Sequence, residues 1–156
     1  MLNLFKPNTL NELMVKEFPP QRWLVEKLIP REGLTILSAR PSAYKTWLML
    51  ESAIAIANGR PLFNHFETEQ TGVLIIDEES NENVLQERFR CLSADDSLPI
   101  YYMSRTERLM DESYSREIIS FCQSNDIGIV MFDSLVRLHH KNENDSGEMS
   151  IILNHF

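Results

Sequence analysis

The chain of 156 residues has only five glycines and no long uninterrupted apolar segment. No run approaches the roughly 18 consecutive apolar residues that a membrane-spanning helix needs, so we expect no transmembrane span. Residues 1–6 also lack the apolar core of a secretory signal peptide. These absences favour a cytoplasmic protein.

Cysteine and positive charge are both scarce. Cys91 and Cys122 lie in apolar, helix-like stretches, and we interpret them as buried thiols of a reducing compartment rather than as a disulfide. Lysine and arginine number 15 against 23 acidic residues, a net charge of -8. This balance argues against a basic nucleic-acid surface spread over the whole chain. A hydrophobic content of 43% suits one globular domain with a real core.

Apolar runs of strand length alternate with segments of helical periodicity. Strands are predicted at 34–37, 73–76, 100–103 and 127–132. Helices are predicted after Thr9, which forms a capping-box pattern with Glu12, and at 81–92 and 114–122. Another is predicted from Trp47 to Ala57, with Gly59 as its C-terminal cap. A further helical face begins at Met149. The alternation implies βαβ units and a mostly parallel sheet.

The segment between the first predicted strand and the next helix has the spacing of a phosphate-binding loop. Residues 38–47 follow the layout GxxxxGK[ST], with Ala39 and Tyr44 in place of the two glycines. In such a loop the backbone amides surround the phosphates, a lysine neutralises their charge, and a hydroxyl ligates Mg²⁺. We expect Ala39 to be a mild change. We expect Tyr44 to avoid positive φ and to point its ring outward.

The predicted nucleotide-binding residues occupy this loop and the start of the helix after it. They are Ala39, Arg40, Pro41, Ser42, Ala43, Tyr44, Lys45, Thr46 and Trp47. The alternative is that Lys45 and Thr46 merely begin an amphipathic helix after a turn at Pro41.

Two acidic strand ends strengthen the nucleotide hypothesis. Asp133 follows the apolar run 129–132, which is typical of a Walker B carboxylate that holds a Mg²⁺-bound water near Thr46. A simple capping role in the next turn is the alternative. Asp77, Glu78 and Glu79 end the second strand, with Asp77 and Glu79 predicted on one side and Glu78 on the other. We favour Glu79, then Glu78, as the residue that orients or deprotonates a water, over a merely solvated strand end.

Several other residues are weaker candidates. The adjacent pair His139 and His140 cannot easily share one ion, so a metal role is disfavoured. Trp23 and Tyr44 are candidates for stacking on adenine. We interpret Arg88 and Arg90 as solvated helix arginines, with contact to a partner as the alternative. Arg105, Thr106 and Arg108 follow the third strand and are lesser candidates for contacting phosphate or nucleic acid.

Taken in order, these motifs resemble a known family. The matching segments are 23–25, 28–30, 33–37, 41–48, 73–79 with Arg88 downstream, and 130–138. They look like the RecA-like P-loop ATPases related to the RepA hexameric replicative helicase, a group of AAA-family ATPases found in plasmids, phages and integrated elements. The resemblance covers residues 19–156, and we interpret 1–18 as an N-terminal helical extension.

The resemblance implies a fold, a cofactor and an assembly. It implies a RecA-like three-layer α/β sandwich that binds ATP with Mg²⁺ and forms a homo-oligomeric ring with the nucleotide between subunits. It carries phosphate and metal roles onto Lys45, Thr46 and Asp133, and the catalytic glutamate onto Glu79. Such domains continue with further strands and DNA-facing loops, so we interpret 19–156 as the N-terminal part of a core, with DNA contacts elsewhere.

Two other functions stay open at the level of sequence. One is a non-catalytic module that retains nucleotide, or only the fold, and acts through partner contacts. The other is a different doubly wound α/β enzyme that binds a small phosphorylated ligand at its strand ends.

Overall fold

The computed structural model describes residues 7–40, 42–134 and 137. Two sheets are present in this part of the chain. An antiparallel pair joins β1 (Trp23–Val25) to β2 (Ile29–Pro30). A parallel sheet contains β3 (Gly72–Asp77), β4 (Ile100–Ser104) and β5 (Ile127–Asp133) in the order β4-β3-β5. The helices are α1 (Leu10–Met14), α2 (Lys45–Asn58), α3 (Glu82–Cys91) and α4 (Glu112–Ser124).

The central strand β3 explains why the apolar runs form a sheet. All six of its residues are buried, and β4 and β5 both pair with it in parallel. A parallel strand covered on both faces reads as a continuous apolar run, which is the pattern of 73–76. The predicted order of strands and helices from β3 to β5 and the predicted parallel sheet are therefore confirmed.

Alternation along the strands divides the core into two layers. Val73 and Ile75 of β3 pack with Met131 of β5 and with buried residues of α2 and α3. Leu74 and Ile76 pack on the other face with residues of α4. Asp77 is paired in register with Asp133, and both continue the row of Val73, Ile75 and Met131. The two aspartates thus end the face against which α2 packs.

Two helix boundaries follow the predicted capping chemistry. Thr9 and Glu12 form a capping box at the start of α1. Gly59 ends α2 with φ of 75°, a left-handed conformation that glycine adopts without a steric penalty. Both sequence predictions are confirmed.

The prediction of a strand at 34–37 is wrong. These residues lie in no strand, and Leu34, Ile36 and Leu37 are 54%, 62% and 49% exposed. An apolar run indicates only that a segment can be buried. To form a strand, the segment must also hydrogen-bond to a neighbouring strand. In the described part of the chain the parallel sheet contains β4, β3 and β5, while β1 pairs with β2 and bridges to Thr68 through Val25, so residues 34–37 join neither sheet.

The interpretation of both cysteines as buried is also wrong in part. Both thiols are free, but Cys91 is exposed and Cys122 is half-buried. Leu85 is the buried residue of α3, and Cys91 lies in the last turn of that helix, away from the covered side. Burial raises the pKa of the Cys122 thiol.

Some predictions concern residues outside the described ranges. They are Pro41, the pair His139 and His140, and the helical face that begins at Met149. Within the ranges that are described, no helix combines the length and the apolar character needed to cross a membrane.

Candidate functional site

The loop that precedes α2 leads directly into Lys45 and Thr46, the first two residues of that helix. Tyr44 is the N-cap residue, and its side chain makes no capping hydrogen bond to the helix. The first amides of a helix have no intrahelical acceptor, and a helix N-terminus carries partial positive charge. The start of this 14-residue helix therefore suits an anion such as a phosphate.

Tyr44 adopts the backbone conformation that the sequence was expected to forbid. Its φ is 59° and its ψ is 26°, in the left-handed region, so the prediction that it avoids positive φ is wrong. Its ring is 75% exposed, which confirms the outward orientation. The turn into α2 needs a left-handed residue where the motif usually has glycine. Tyrosine meets that need at a cost of about 1–2 kcal/mol.

The side chain of Lys45 folds back over the loop. Its Nζ donates to the carbonyl oxygen of Ala39 at 3.1 Å and lies 3.5 Å from that of Arg40. The ammonium group of Lys45 therefore lies beside the carbonyl oxygens of Ala39 and Arg40. A bound phosphate would compete with two neutral carbonyl oxygens, which are weaker acceptors for a cation than a charged oxygen.

Thr46 and Asp133 meet at the centre of the site. Thr46 Oγ1 donates to Asp133 Oδ2 at 2.5 Å, which joins the start of α2 to the end of β5. Asp133 is only 7% exposed. Its burial raises the pKa of the carboxyl group, and the nearby Asp77 and Glu79 add to the rise. The Thr46 hydrogen bond and the Arg88 charge oppose it.

Glu79 and Glu78 leave the end of β3 in different directions. Glu79 Oε1 accepts from Ser134 Oγ at 2.6 Å, beside Asp133. Glu78 instead accepts from the amides of Thr106 at 3.2 Å and Glu107 at 3.1 Å, and from the Thr106 hydroxyl. The structure therefore places Glu79, and not Glu78, next to the Thr46 and Asp133 pair. The predicted alternation is confirmed.

The arginines divide between this site and other parts of the surface. Arg88 Nη1 donates to Ser80 Oγ at 2.7 Å, so its interpretation as a solvated helix arginine is wrong. Arg105 Nη2 donates to the Glu79 carbonyl oxygen at 3.2 Å. Arg108 forms two hydrogen bonds to Glu117, at 2.6 and 3.0 Å, and covers the Tyr114 ring. Arg108 therefore binds residues of α4 and not the described residues of the loop before α2.

Sequence reasoning assigned no role to Ser80 and Ser134. Ser80 directly follows Glu79, and Ser134 directly follows Asp133. This adjacency to the predicted acidic residues is the sequence signal that indicates both serines. The structure shows Ser134 bonded to Glu79 and Ser80 bonded to Arg88. Ser134 thus joins the end of β5 to Glu79, and Ser80 joins the segment after β3 to α3.

The donor set fits a magnesium ion that arrives with phosphates. No group of three or more His, Cys, Asp or Glu side chains within the described residues could hold a metal by itself. Mg²⁺ in nucleotide sites usually takes one or two protein oxygens and completes its shell with water and phosphate oxygens. Thr46 and Asp133 supply such a pair, and Asp77 and Glu79 add negative charge nearby.

A lysine and a threonine begin a helix, the threonine binds an aspartate at one strand end, and a glutamate ends the adjacent strand, which is the arrangement expected of a P-loop NTPase. A family model described as an AAA domain matches residues 4–156. The chain therefore belongs to the AAA domain family, and its fold is the RecA-like P-loop NTPase fold. A search of curated proteins finds no match. Family membership indicates a nucleotide-binding function of the ATPase type.

Proposed function

We propose that the chain binds ATP with Mg²⁺ and belongs to an ATP-hydrolysing core. The observation that carries this proposal is the 2.5 Å hydrogen bond between Thr46 and Asp133. It joins the residue expected to ligate the metal to the residue expected to hold a metal-bound water. A turn that merely starts an amphipathic helix has no reason to bring this pair together.

The phosphates would lie against the N–H groups of residues 39–47, except Pro41, which has none, and against the ammonium group of Lys45. Thr46 would hold Mg²⁺ directly, and Asp133 would hold it through water. When bound, the metal supplies positive charge that neutralises the phosphate oxygens and the charge that develops during transfer. The carboxylates of Asp133, Asp77 and Glu79 leave this corner negative, which favours a cation.

Glu79 is the residue we assign to the attacking water. Glu79 is exposed at the strand end, and its carboxylate accepts a hydrogen bond from the hydroxyl of Ser134. It can accept a proton from a water, or orient that water, while Ser134 holds its other side. Glu78 does not suit this role, because both of its oxygens accept hydrogen bonds from residues 106 and 107.

Nucleotide titration of the purified chain tests the proposal. We expect Lys45→Ala to weaken ATP binding by about tenfold or more, since charge-assisted hydrogen bonds to phosphate contribute roughly 1.5–3 kcal/mol. Lys16→Ala is the matched control, because Lys16 is an exposed lysine outside the loop. Equal ATP affinity in the wild type, Lys45→Ala and Lys16→Ala would overturn the proposed function.

A non-catalytic nucleotide-binding module is the second candidate. The observation that favours it is the strained Tyr44 at the second glycine position, where the loop has less freedom to adjust during a reaction cycle. This candidate predicts tight ATP binding by the wild type together with no phosphate release. The catalytic proposal predicts release that Glu79→Gln abolishes.

The resemblance to replicative ATPases supports the wider part of the proposal. We infer a cytoplasmic homo-oligomeric ring with ATP between subunits, linked to DNA replication or helicase activity. We keep 1–18 as a separate helical extension, and α1 buries none of its residues. Sizing with and without ATP, and ATPase assays with and without DNA, test the ring and the DNA link.

A further inference from the structure

Asp77 is fully buried, yet one of its carboxylate oxygens lacks a partner. Its exposed fraction is 0%, and Oδ2 makes no hydrogen bond to any described residue. Burying a polar group without a partner costs free energy, so buried carboxylates are normally paired or hydrogen-bonded. Leu74 and Ile76 show that β3 fills its interior positions with apolar side chains. The aspartate at position 77 therefore needs an explanation beyond packing.

The first oxygen of the same carboxylate holds the backbone around Glu79. Asp77 Oδ1 accepts from the amide of Glu79 at 2.9 Å and from that of Ser80 at 2.7 Å. An aspartate that binds amides two and three residues ahead fixes the turn between them. The main chain on both sides of the Glu79 side chain is therefore held by Asp77.

Two further contacts complete the restraint on Glu79. Arg105 Nη2 donates to its carbonyl oxygen at 3.2 Å, and Ser134 Oγ donates to its carboxylate at 2.6 Å. The amide, carbonyl and carboxylate of Glu79 thus each have a separate partner. Asp77 is the buried member of the three partners.

The position of Asp77 also fixes where its second oxygen can find a partner. Asp77 is in register with Asp133 on the adjacent parallel strand, and register neighbours present their side chains on the same face. That face is covered by α2, whose second residue is Thr46. The Asp77 carboxylate therefore lies at the strand ends beside the Thr46 and Asp133 pair.

We propose that Asp77 is a positioning residue of this site: Oδ1 orients Glu79, and Oδ2 accepts a hydrogen bond from a water of a hydrated divalent cation. The inference rests on the proposed function of the Thr46 and Asp133 pair. Groups that hold the waters and ligands around a metal commonly change metal affinity or activity by about 10–100-fold when they are replaced.

Asp77→Asn separates the two roles, because it keeps an acceptor for the two amides and replaces the other oxygen with an NH₂ donor. We expect Mg²⁺ to strengthen ATP binding about tenfold less in this variant than in the wild type. ATP affinity in EDTA should stay unchanged. The exposed Asp96→Asn is the matched control and should behave like the wild type. Full Mg²⁺ enhancement in Asp77→Asn would overturn the cation role.

Asp77→Ala removes both carboxylate oxygens and therefore both roles. Hydrogen exchange at the backbone amides measures the positioning role in the absence of nucleotide. We expect faster hydrogen exchange at Glu79 and Ser80 in Asp77→Ala and near wild-type exchange in Asp77→Asn. In turnover assays Asp77→Ala should lower kcat while KM for ATP changes little. Unchanged exchange at both amides in Asp77→Ala would overturn the positioning role.

The two proposals fail in different ways. If the proposed function is wrong, the wild type shows no Mg²⁺-enhanced ATP binding, and the cation role of Asp77 falls with it. If only this inference is wrong, the wild type shows the enhancement and Asp77→Asn keeps it in full.

Discussion

Thr46 Oγ1 and Asp133 Oδ2 lie 2.5 Å apart although 87 positions separate the two residues in the sequence. One residue belongs to the first turn of α2 and the other ends β5. The contact joins a loop suited to phosphate with a carboxylate suited to a metal-bound water. The central claim is that this pair is the magnesium side of a nucleotide site.

Asp133 should make stability depend on pH in the absence of divalent cations. Its pKa is raised above the ordinary value of 3.8, chiefly by burial. A carboxyl group whose pKa is higher in the folded state stabilises the fold most below the unfolded value. That contribution is lost as pH rises through the folded pKa.

The difference between wild type and Asp133→Asn isolates the pH dependence that the Asp133 charge causes, because groups far from residue 133 contribute equally in both proteins. In EDTA, we expect the wild type to lose stability relative to Asp133→Asn as pH rises above 3.8. Urea denaturation at several pH values between about 4 and 7 measures this difference. A difference that does not change with pH would contradict the prediction.

Replacing Tyr44 with glycine should stabilise the chain. Glycine adopts the left-handed conformation of this position without the steric cost of about 1–2 kcal/mol, but it loses about 0.5–1 kcal/mol through greater unfolded-state entropy. We therefore expect a net gain of up to about 1.5 kcal/mol in the free energy of unfolding, measured by chemical denaturation.

Tyr44→Ala is the control for the ring. Alanine keeps the Cβ that causes the strain and removes a ring that is 75% exposed. We expect its stability to stay within about 0.5 kcal/mol of wild type. A gain in Tyr44→Ala as large as that in Tyr44→Gly would show that the ring, and not φ, sets the cost.

Substitutions of the two glutamates at the end of β3 should have different effects on the rate of phosphate release. Glu79→Gln should spare ATP binding and lower phosphate release by about 10²-fold or more, because the amide cannot act as a base. Glu78→Gln should keep substantial turnover, since that carboxylate serves the 106–107 backbone. Phosphate-release assays on an active assembly measure both. Loss of turnover in Glu78→Gln with retention in Glu79→Gln would reverse the assignment.

The fold was predictable where local pattern and pairing agree. Residues 73–76 are an unbroken apolar run that could only be a covered strand, and Gly59 marked the end of α2. Residues 34–37 have a similar apolar pattern but lie in no strand. Local pattern does not reveal whether a run will pair with a neighbouring strand, so the sequence could not separate these two runs.

The site was predictable in its residue types and less so in its contacts. Thr46, Asp133 and Glu79 were identified because each follows a turn or an apolar run at a spacing that phosphate chemistry needs. The left-handed Tyr44 was not expected, because propensity opposes it and only the geometry of the turn requires it. The hydrogen bond from Arg88 to Ser80 and the burial of Asp77 Oδ2 depend on how helices and strands pack together. The spacing of residues along the sequence does not predict that packing.

A double-mutant cycle on Thr46→Ala and Asp133→Asn tests the central claim most directly. ATP affinity is measured for the wild type, both single variants and the double variant, in Mg²⁺ and in EDTA. We predict that Mg²⁺ strengthens wild-type binding and that the two substitutions are coupled by about 0.5–3 kcal/mol in Mg²⁺. In EDTA that coupling should fall. Wild-type affinity that is equal in Mg²⁺ and EDTA, with additive effects of the two substitutions, would contradict a magnesium site at this pair.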